Sequence, residues 1–145
     1  MDGSRPYLVD VRDPRRFVSA ALELFPDGGH ISLEGDLALL DRRDLSGLST
    51  ETTPILKPNT LEPHQDFTVV PITPATRKAL IESALHRVGL RKRVIHVQIE
   101  SAGRLVLSAC DNFHPECTWI AVELTFLTDW TEKQIICGFR LAPGQ

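Results

Sequence analysis

The clearest pattern in the chain is an alternation of apolar and polar residues over 94–110. Apolar side chains occupy every second position on both sides of the Ser-Ala-Gly sequence at 101–103. A period of two is typical of strands with one buried face, and the short break fits a tight turn. The pattern predicts a β-hairpin in which His96 and Gln98 are exposed. We expect five side chains to be buried: Ile95, Val97, Ile99, Leu105 and Leu107.

Two further segments show helical spacing of apolar residues, and each begins with a capping residue followed by proline. Asp13 and Thr73 are the predicted N-caps, because a side-chain oxygen at that position accepts a hydrogen bond from the first helical turn. These patterns predict helices over 14–25 and 74–88. Short alternating or β-branched runs predict strands over 30–34, 66–73 and 134–139.

Two regions are harder to interpret. Residues 36–66 contain scattered leucines, charged residues and prolines, and we expect a long irregular connection with a helical turn near 37–41 and an extended edge segment near 53–57. Residues 118–130 fit either a helix or a strand, and the length of the apolar run favours a helix. Together the elements predict an α+β fold, with a mostly antiparallel sheet of four to six strands and two or three helices on one face.

Composition is that of an ordinary globular protein, with 42% hydrophobic and 24% charged residues. The length of 145 residues favours one domain over 1–145. The sequence has no apolar run of about 18 residues, so we expect no membrane partner. The N-terminal residues lack the basic and apolar segments of an export signal, and we therefore expect a cytoplasmic location.

Charge argues against binding to nucleic acid. The net charge is −3; residues 1–72 carry 7 basic and 12 acidic side chains, whereas residues 73–145 carry 9 basic and 7 acidic ones. A protein that grips phosphates shows a basic excess, which is missing here. The acidic N-terminal half would instead suit a basic protein partner.

The segment DNFHPEC at 111–117 raises the question of a metal site. Cys110, His114 and Cys117 are zinc-ligand types, and Cys137 or His96 could supply a fourth ligand. The usual Cys-x2-Cys pair is missing. The His-Pro-Glu sequence also resembles the His-x-Glu of zinc deaminases, but no Pro-Cys-x-x-Cys follows, which excludes that chemistry. We expect a simple connection that binds no metal or cofactor.

The cysteines are odd in number, which leaves one unpaired in any disulfide framework. We therefore expect Cys110, Cys117 and Cys137 to be reduced thiols. The sequence also lacks a nucleophile elbow, a phosphate loop and a dinucleotide fingerprint.

The remaining candidate site is distributed over the polar face of the predicted sheet. If the aliphatic faces pack against helices, the opposite face carries hydrogen-bonding side chains able to contact a partner. The predicted partner-binding residues are His30, Ser32, Glu34, Asp36, His96, Gln98, Glu100 and Arg104.

These observations favour a small cytosolic binding module, such as an inhibitor or an immunity-type protein that masks a basic partner protein. The alternative is a small enzyme or a metal- or ligand-binding protein with a site around His96, Cys110, His114 and Cys117. The sequence leaves the oligomeric state open.

Overall fold

One antiparallel sheet organises the computed structural model, which describes residues 4–60 and 65–143. The strands are β1 (Arg5–Val11), β2 (His30–Gly35), β3 (Asp66–Pro71), β4 (Val94–Ser101), β5 (Arg104–Ala109), β6 (Trp119–Val122) and β7 (Ile136–Leu141). Their order in the sheet is β3-β2-β4-β5-β6-β1-β7, and every neighbouring pair is antiparallel.

Helices occupy several of the connections. They are α1 (Pro14–Leu24), α2 (Pro74–Ala79), α3 (Leu90–Arg93) and α4 (Leu124–Glu132), and Leu80–Ala84 extends α2 as a π-helical segment. The predicted α+β class is confirmed. Within the described ranges, the seven strands and four α-helices exceed the predicted four to six strands and two or three helices. No helix in those ranges has the length and apolar character needed to cross a bilayer.

Both predicted helix starts are confirmed. Asp13 accepts a hydrogen bond from the Arg16 backbone N–H at 3.2 Å, and Thr73 accepts one from the Thr76 N–H at 3.1 Å. In each case the cap satisfies a backbone donor that has no partner within the helix. The second helix changes to π-helical geometry from Leu80, so its regular α-helical part is shorter than predicted.

Strand β1 was not predicted, although it lies between β6 and β7 in the sheet. Its signal is a short alternation in which Tyr7, Val9 and Val11 face the core and Asp10 is exposed. A regular alternation would have a polar residue at position 8, but that residue is Leu8, which is buried on the other face of the sheet. A strand that buries residues on both faces loses the clean period of two, which explains why the pattern was missed.

The expected helix over 118–130 was wrong in its first part. Trp119–Val122 forms β6, and the helix begins only after Glu123. The length of the apolar run is therefore the sum of a four-residue strand and the start of a helix. Pairing with β1 on one side and β5 on the other decides the strand, and neither partner is visible from the local sequence.

The core lies between the helices and one face of the sheet. Phe17 and Leu22 of α1, together with Leu80, join Ile31 and Val97 of the sheet in one buried cluster. Because side chains alternate across a strand, Ser32, Glu34 and Gln98 belong to the opposite face. Buried residues from all four α-helices, among them Ala79, Leu90 and Leu127, belong to this one cluster.

The long connection after β2 wraps around the edge of the sheet. Leu37, Leu40 and Leu45 belong to the core cluster on the helix side, and the Leu40 N–H bonds to Leu37 O at 3.1 Å in a short turn. Ser49 then pairs with Val69 of edge strand β3. The extended edge contact is thus at Ser49 rather than at the predicted 53–57.

Burial in the hairpin differs from the sequence expectation at four positions, one of which is His96, half-buried rather than exposed. Val97, Ile99 and Leu107 are buried as expected, but Ile95 and Leu105 are only half-buried and Gln98 is buried. Leu105 is affected by a shift in register, since Ile99 pairs with Leu107 while Glu100 pairs with Leu105. Val106 is therefore an extra residue, a β-bulge that bends β5 and increases its twist.

This register makes a prediction about stability. Replacing Val97 with alanine removes fully buried methyl groups, so unfolding in urea should show a loss of about 1–3 kcal/mol. The matched change Val106→Ala, at the half-buried bulge, should cost less than about 1 kcal/mol. Equal losses from the two changes would contradict the register given above.

Candidate functional site

Six of the predicted partner-binding residues lie in one row, here called the polar row. Adjacent strands β2 and β4 place them in directly opposed pairs on the face that the helices leave uncovered. The pairs are His30 with Glu100, Ser32 with Gln98, and Glu34 with His96. The sequence analysis therefore identified side chains that the fold does bring together.

Half of the polar row is not available to a partner. Ser32, Glu34 and Gln98 are 3%, 2% and 8% exposed, which corrects the expectation of an open face. The connection causes this burial, since the backbone N–H groups of Asn59 and Thr60 donate to the Glu34 carboxylate at 2.8 and 2.9 Å. Glu34 thus holds the connection against the sheet and is satisfied there.

The other polar-row residues at the hairpin end are more accessible. His30 Nδ1 lies 2.6 Å from the Glu100 carboxylate, and their side chains are 37% and 12% exposed. Arg104 is exposed at the start of β5. Asp36 is exposed beyond the opposite end of β2, with its carboxylate 4.0 Å from Arg93. The eight predicted residues therefore do not form one continuous accessible surface.

A second row runs across the sheet and includes three residues of the alternative site. The β4–β5 register pairs Val97 with Ala109, and one further step places Cys110 opposite His96. The β5–β6 register pairs Ser108 with Trp119, and two further steps place Cys110 opposite Cys117. Alternation puts these three side chains on the face opposite the helices. We call His96, Cys110 and Cys117 the cysteine row.

Cys110 and Cys117 are joined by a disulfide, with Cα atoms 5.8 Å apart. This corrects the expectation of three free thiols, which remains right only for the exposed Cys137. An odd cysteine count excludes complete pairing but permits one pair. The Cα separation lies within the range that a disulfide can span without moving the backbone.

The turn between these cysteines has an unusual backbone. Asp111, Asn112 and Phe113 have φ angles of 55°, 57° and 64°, in the left-handed region that ordinary side chains disfavour. Asn112 is held by β4, since its backbone N–H donates to Ile95 O at 3.1 Å and its side chain to Val94 O at 3.0 Å. Phe113 is buried in the core.

The structure gives no support for a metal centre at this turn. No group of three or more histidine, cysteine, aspartate or glutamate side chains placed to hold a metal ion occurs among residues 4–60 and 65–143. His114 is exposed, and its Nδ1 accepts a hydrogen bond from the Glu116 N–H at 3.1 Å. The two cysteine sulfurs are bonded to each other rather than free to act as thiolate ligands.

A cleft opens where the sheet is least continuous. The pairing between β5 and β6, here called the seam, consists of Leu107 with Ile120 and Ser108 with Trp119. Beyond the seam, the bulge at Val106 bends β5 away while β6 continues along β1. The gap, here called the seam cleft, has a volume of about 490 Å³.

Apolar groups predominate in the seam cleft. Residues from α1, the hairpin tip, β6 and α4 contribute, including Phe25, Leu105, Val106, Val122 and Phe126. Phe126 is 38% exposed, and the charged side chains of Arg104 and Glu123 also line the cleft. Apart from Arg104, the predicted partner-binding residues do not line it.

Local sequence carries little signal for the seam cleft. Val106 looks like an outward-facing residue of a regular strand, and Phe126 looks like part of the apolar stripe of a helix. The one available indication was the apolar residue at 106 on the nominally polar side of the hairpin, which a bulge explains.

The chain matches no family model, no curated protein and no solved structure in comparisons with known proteins.

Burial of Glu34 gives a test of how the connection is held. Replacing Glu34 with alanine leaves two backbone donors without their acceptor, so we expect a loss of about 1–3 kcal/mol in urea unfolding. Faster amide exchange should appear at Asn59 and Thr60. The control Asp36→Ala removes an exposed carboxylate with one local bond and should have a smaller effect. The assignment fails if Asp36→Ala destabilises the protein as much as Glu34→Ala does.

Proposed function

We propose that this protein is a small binding module that holds another protein at the seam cleft. The observation that carries the proposal is the cleft itself, an apolar concavity formed where the sheet divides between β5 and β6. Buried apolar anchors surrounded by a polar rim are typical of protein interfaces. The site differs from the polar row because three residues of that row are buried.

The rim of the seam cleft favours a partner segment with charges of both signs. Arg104 at the start of β5 and Glu123 just after β6 are both exposed and line the cleft. A partner that inserts an apolar side chain between them could place a carboxylate near Arg104 and a basic group near Glu123. Such complementary charges fix orientation and exclude wrong partners more than they add affinity.

An inhibitor or immunity-type protein that masks a basic partner is one form of this proposal, but its electrostatic support is weaker than the sequence implied. Glu34 is buried, and the Asp66 carboxylate accepts a hydrogen bond from the Leu37 N–H at 3.2 Å. Arg43 donates to Asp41 at 3.0 and 2.7 Å and lowers the pKa of that carboxyl to about 2. Glu62 lies outside the described residues.

Among the described residues of the connection, the exposed carboxylates are Asp36, Asp44, Glu51 and Asp66, and that of Asp36 lies 4.0 Å from Arg93. Arg42 and Lys57 are exposed in the same segment, so its acidic charge is partly cancelled. The seam cleft therefore carries more of the proposal than charge does.

A cytoplasmic location stays a prediction. The disulfide between Cys110 and Cys117 is a feature that oxidising compartments favour.

The proposal can be tested by comparing two exposed apolar residues. Phe126 lines the seam cleft, whereas Leu39 lies on the long connection away from it, and they are 38% and 45% exposed. A photo-crosslinking phenylalanine analogue at each position, expressed in the native host, should join a partner protein at 126 but not at 39. The purified partner should then bind Phe126→Asp at least about tenfold more weakly than Leu39→Asp.

Folding of the two variants is the necessary control. An acidic residue in the first turn of α4 is compatible with the helix dipole, so Phe126→Asp should retain native circular dichroism. Equal affinity of the two variants for the partner, or crosslinks from 126 only to a second copy of the chain, would contradict the proposal.

A further inference from the structure

Cys110 and Cys117 lie beside the seam, where their disulfide links the two parts of the sheet. The seam contains two paired positions, whereas β2 and β4 share six. Continuing the register of the seam by two residues places Cys110 opposite Cys117. The disulfide therefore lies at one end of the seam, and the seam cleft lies at the other. A covalent link at the sparsest pairing of the sheet restrains the separation of its two halves, β3-β2-β4-β5 and β6-β1-β7.

Reagents in solution can reach this bond. Both cysteines are half-buried rather than enclosed in the core. The Cys110 sulfur lies 3.0 Å from Cys117 O, and the Cys117 sulfur lies 3.2 Å from Cys110 O, so each sulfur has a polar neighbour that can accept its hydrogen when reduced.

His96 provides a second and independent observation. Its Nδ1 atom is buried and has no hydrogen-bond partner in the described part of the chain. The continued register of β4 and β5 places the His96 side chain beside Cys110, on the same face of the sheet. Directly opposed side chains on neighbouring strands have Cβ atoms about 5 Å apart, so the imidazole and the Cys110 sulfur are neighbours, although no hydrogen bond joins His96 Nδ1 to that sulfur in the disulfide-bonded form. A histidine beside a cysteine favours the reactive thiolate.

The turn between the cysteines explains why breaking the disulfide would change the local structure. Asp111, Asn112 and Phe113 are held in the left-handed region, which costs free energy in residues other than glycine. The Thr118 hydroxyl at the end of the turn is fully buried without a hydrogen-bond partner among the described residues. When the sulfurs separate, these unfavourable features favour release of the turn.

We propose that Cys110 and Cys117 form a reversible thiol–disulfide site, assisted by His96, that exchanges with small thiols of the glutathione class. In reduction, two small thiols are oxidised to their disulfide while the Cys110–Cys117 bond gains two electrons and two protons. The exchange passes through a mixed disulfide with one of the cysteines.

In the oxidising direction, the Cys110 thiol gives its proton to His96 Nδ1 and its sulfur attacks a mixed disulfide on Cys117. The bond between Cys117 and the small thiol breaks, and the departing thiolate takes up the proton. The sulfur–sulfur bond between Cys110 and Cys117 forms in the same step, and no further reagent is needed.

The consequence of reduction is local. The seam should become the least stable part of the sheet, while the six-position pairing of β2 and β4 keeps its protection. We also expect reduction to change the affinity of the seam cleft for its protein partner. This expectation rests on the proposed binding function, whereas the thiol–disulfide site itself does not.

The first experiment measures exchange directly. All proteins carry Cys137→Ser, so that the pair is the one source of thiols. They are equilibrated in glutathione buffers of graded redox ratio, trapped with N-ethylmaleimide and weighed by mass spectrometry. Expected is a reversible change from zero to two alkylated cysteines without a stable singly alkylated form. A pair that stays reduced in every buffer, or stays bonded in excess dithiothreitol under native conditions, would overturn the proposal.

The second experiment separates the role of His96 from a structural effect. The rate at which the reduced pair is oxidised by glutathione disulfide is measured from pH 5 to 9 for His96→Gln and for His114→Gln. We expect His96→Gln to be slower by at least about tenfold near neutral pH, because the proton acceptor is lost. His114 is the matched control, since it lies in the turn between the two cysteines but is exposed and bonded locally. Equal rates of the two variants would remove His96 from the site.

The third experiment compares amide hydrogen exchange in the oxidised and reduced forms of the protein with Cys137→Ser. Cys110 and Cys117 are unchanged in both forms, so a substitution at either cysteine cannot cause the difference. The Val9 N–H donates to Thr118 O, so strand alternation directs the N–H of Trp119 toward its seam partner Ser108. Amide exchange at Ser108 and Trp119 should accelerate by at least about tenfold on reduction, while Ile31 and Val97 change less than about twofold. A uniform acceleration across the sheet would contradict a local role for the bond. If the first experiment shows no thiol–disulfide exchange, the proposal for this site is overturned, whereas the seam-cleft proposal does not depend on that result.

Discussion

The sparse pairing between β5 and β6 is the constraint on which the described arrangement depends. Only Leu107 with Ile120 and Ser108 with Trp119 join the two parts of the sheet there. The main core cluster spans both parts, so apolar packing on the helix side supports a join that few backbone hydrogen bonds maintain. The disulfide lies at one end of this pairing and the seam cleft at the other, which makes the seam the common element of both proposals.

Burial on the two faces of the sheet has different causes. On the helix face it comes from aliphatic and aromatic side chains, among them Phe17 packed edge-on against Phe113 and Trp130. On the other face it comes from the connection, which is anchored by the Glu34 carboxylate and by fully buried Leu56. A charged group can be buried there because two backbone donors replace its contacts with water. An interaction surface inferred from strand alternation alone is therefore incomplete.

Several features were predictable because their causes are local. The caps at Asp13 and Thr73 and the hairpin around the Ala102 and Gly103 turn follow from side-chain chemistry within a few residues. The shared face of the polar-row residues also followed from alternation in β2 and β4, whereas the pairing of those two strands did not. The accessibility of the polar-row residues did not follow, because it depends on a segment more than twenty residues away in sequence, as the contact of Glu34 with Asn59 shows.

By itself, the sequence determined the α+β class, the helix starts, the hairpin and the burial of Val97, Ile99 and Leu107 within it, since these depend on propensity and periodicity. The tertiary structure alone decided that β1 enters the sheet, that 118–130 divides into a strand and a helix, and that the connection covers Glu34. It also decided that Cys110 faces Cys117 and that the bulge at Val106 opens the seam cleft. Each of these depends on which strands become neighbours, and pairing between distant segments is set by the packing of the whole core rather than by any local pattern.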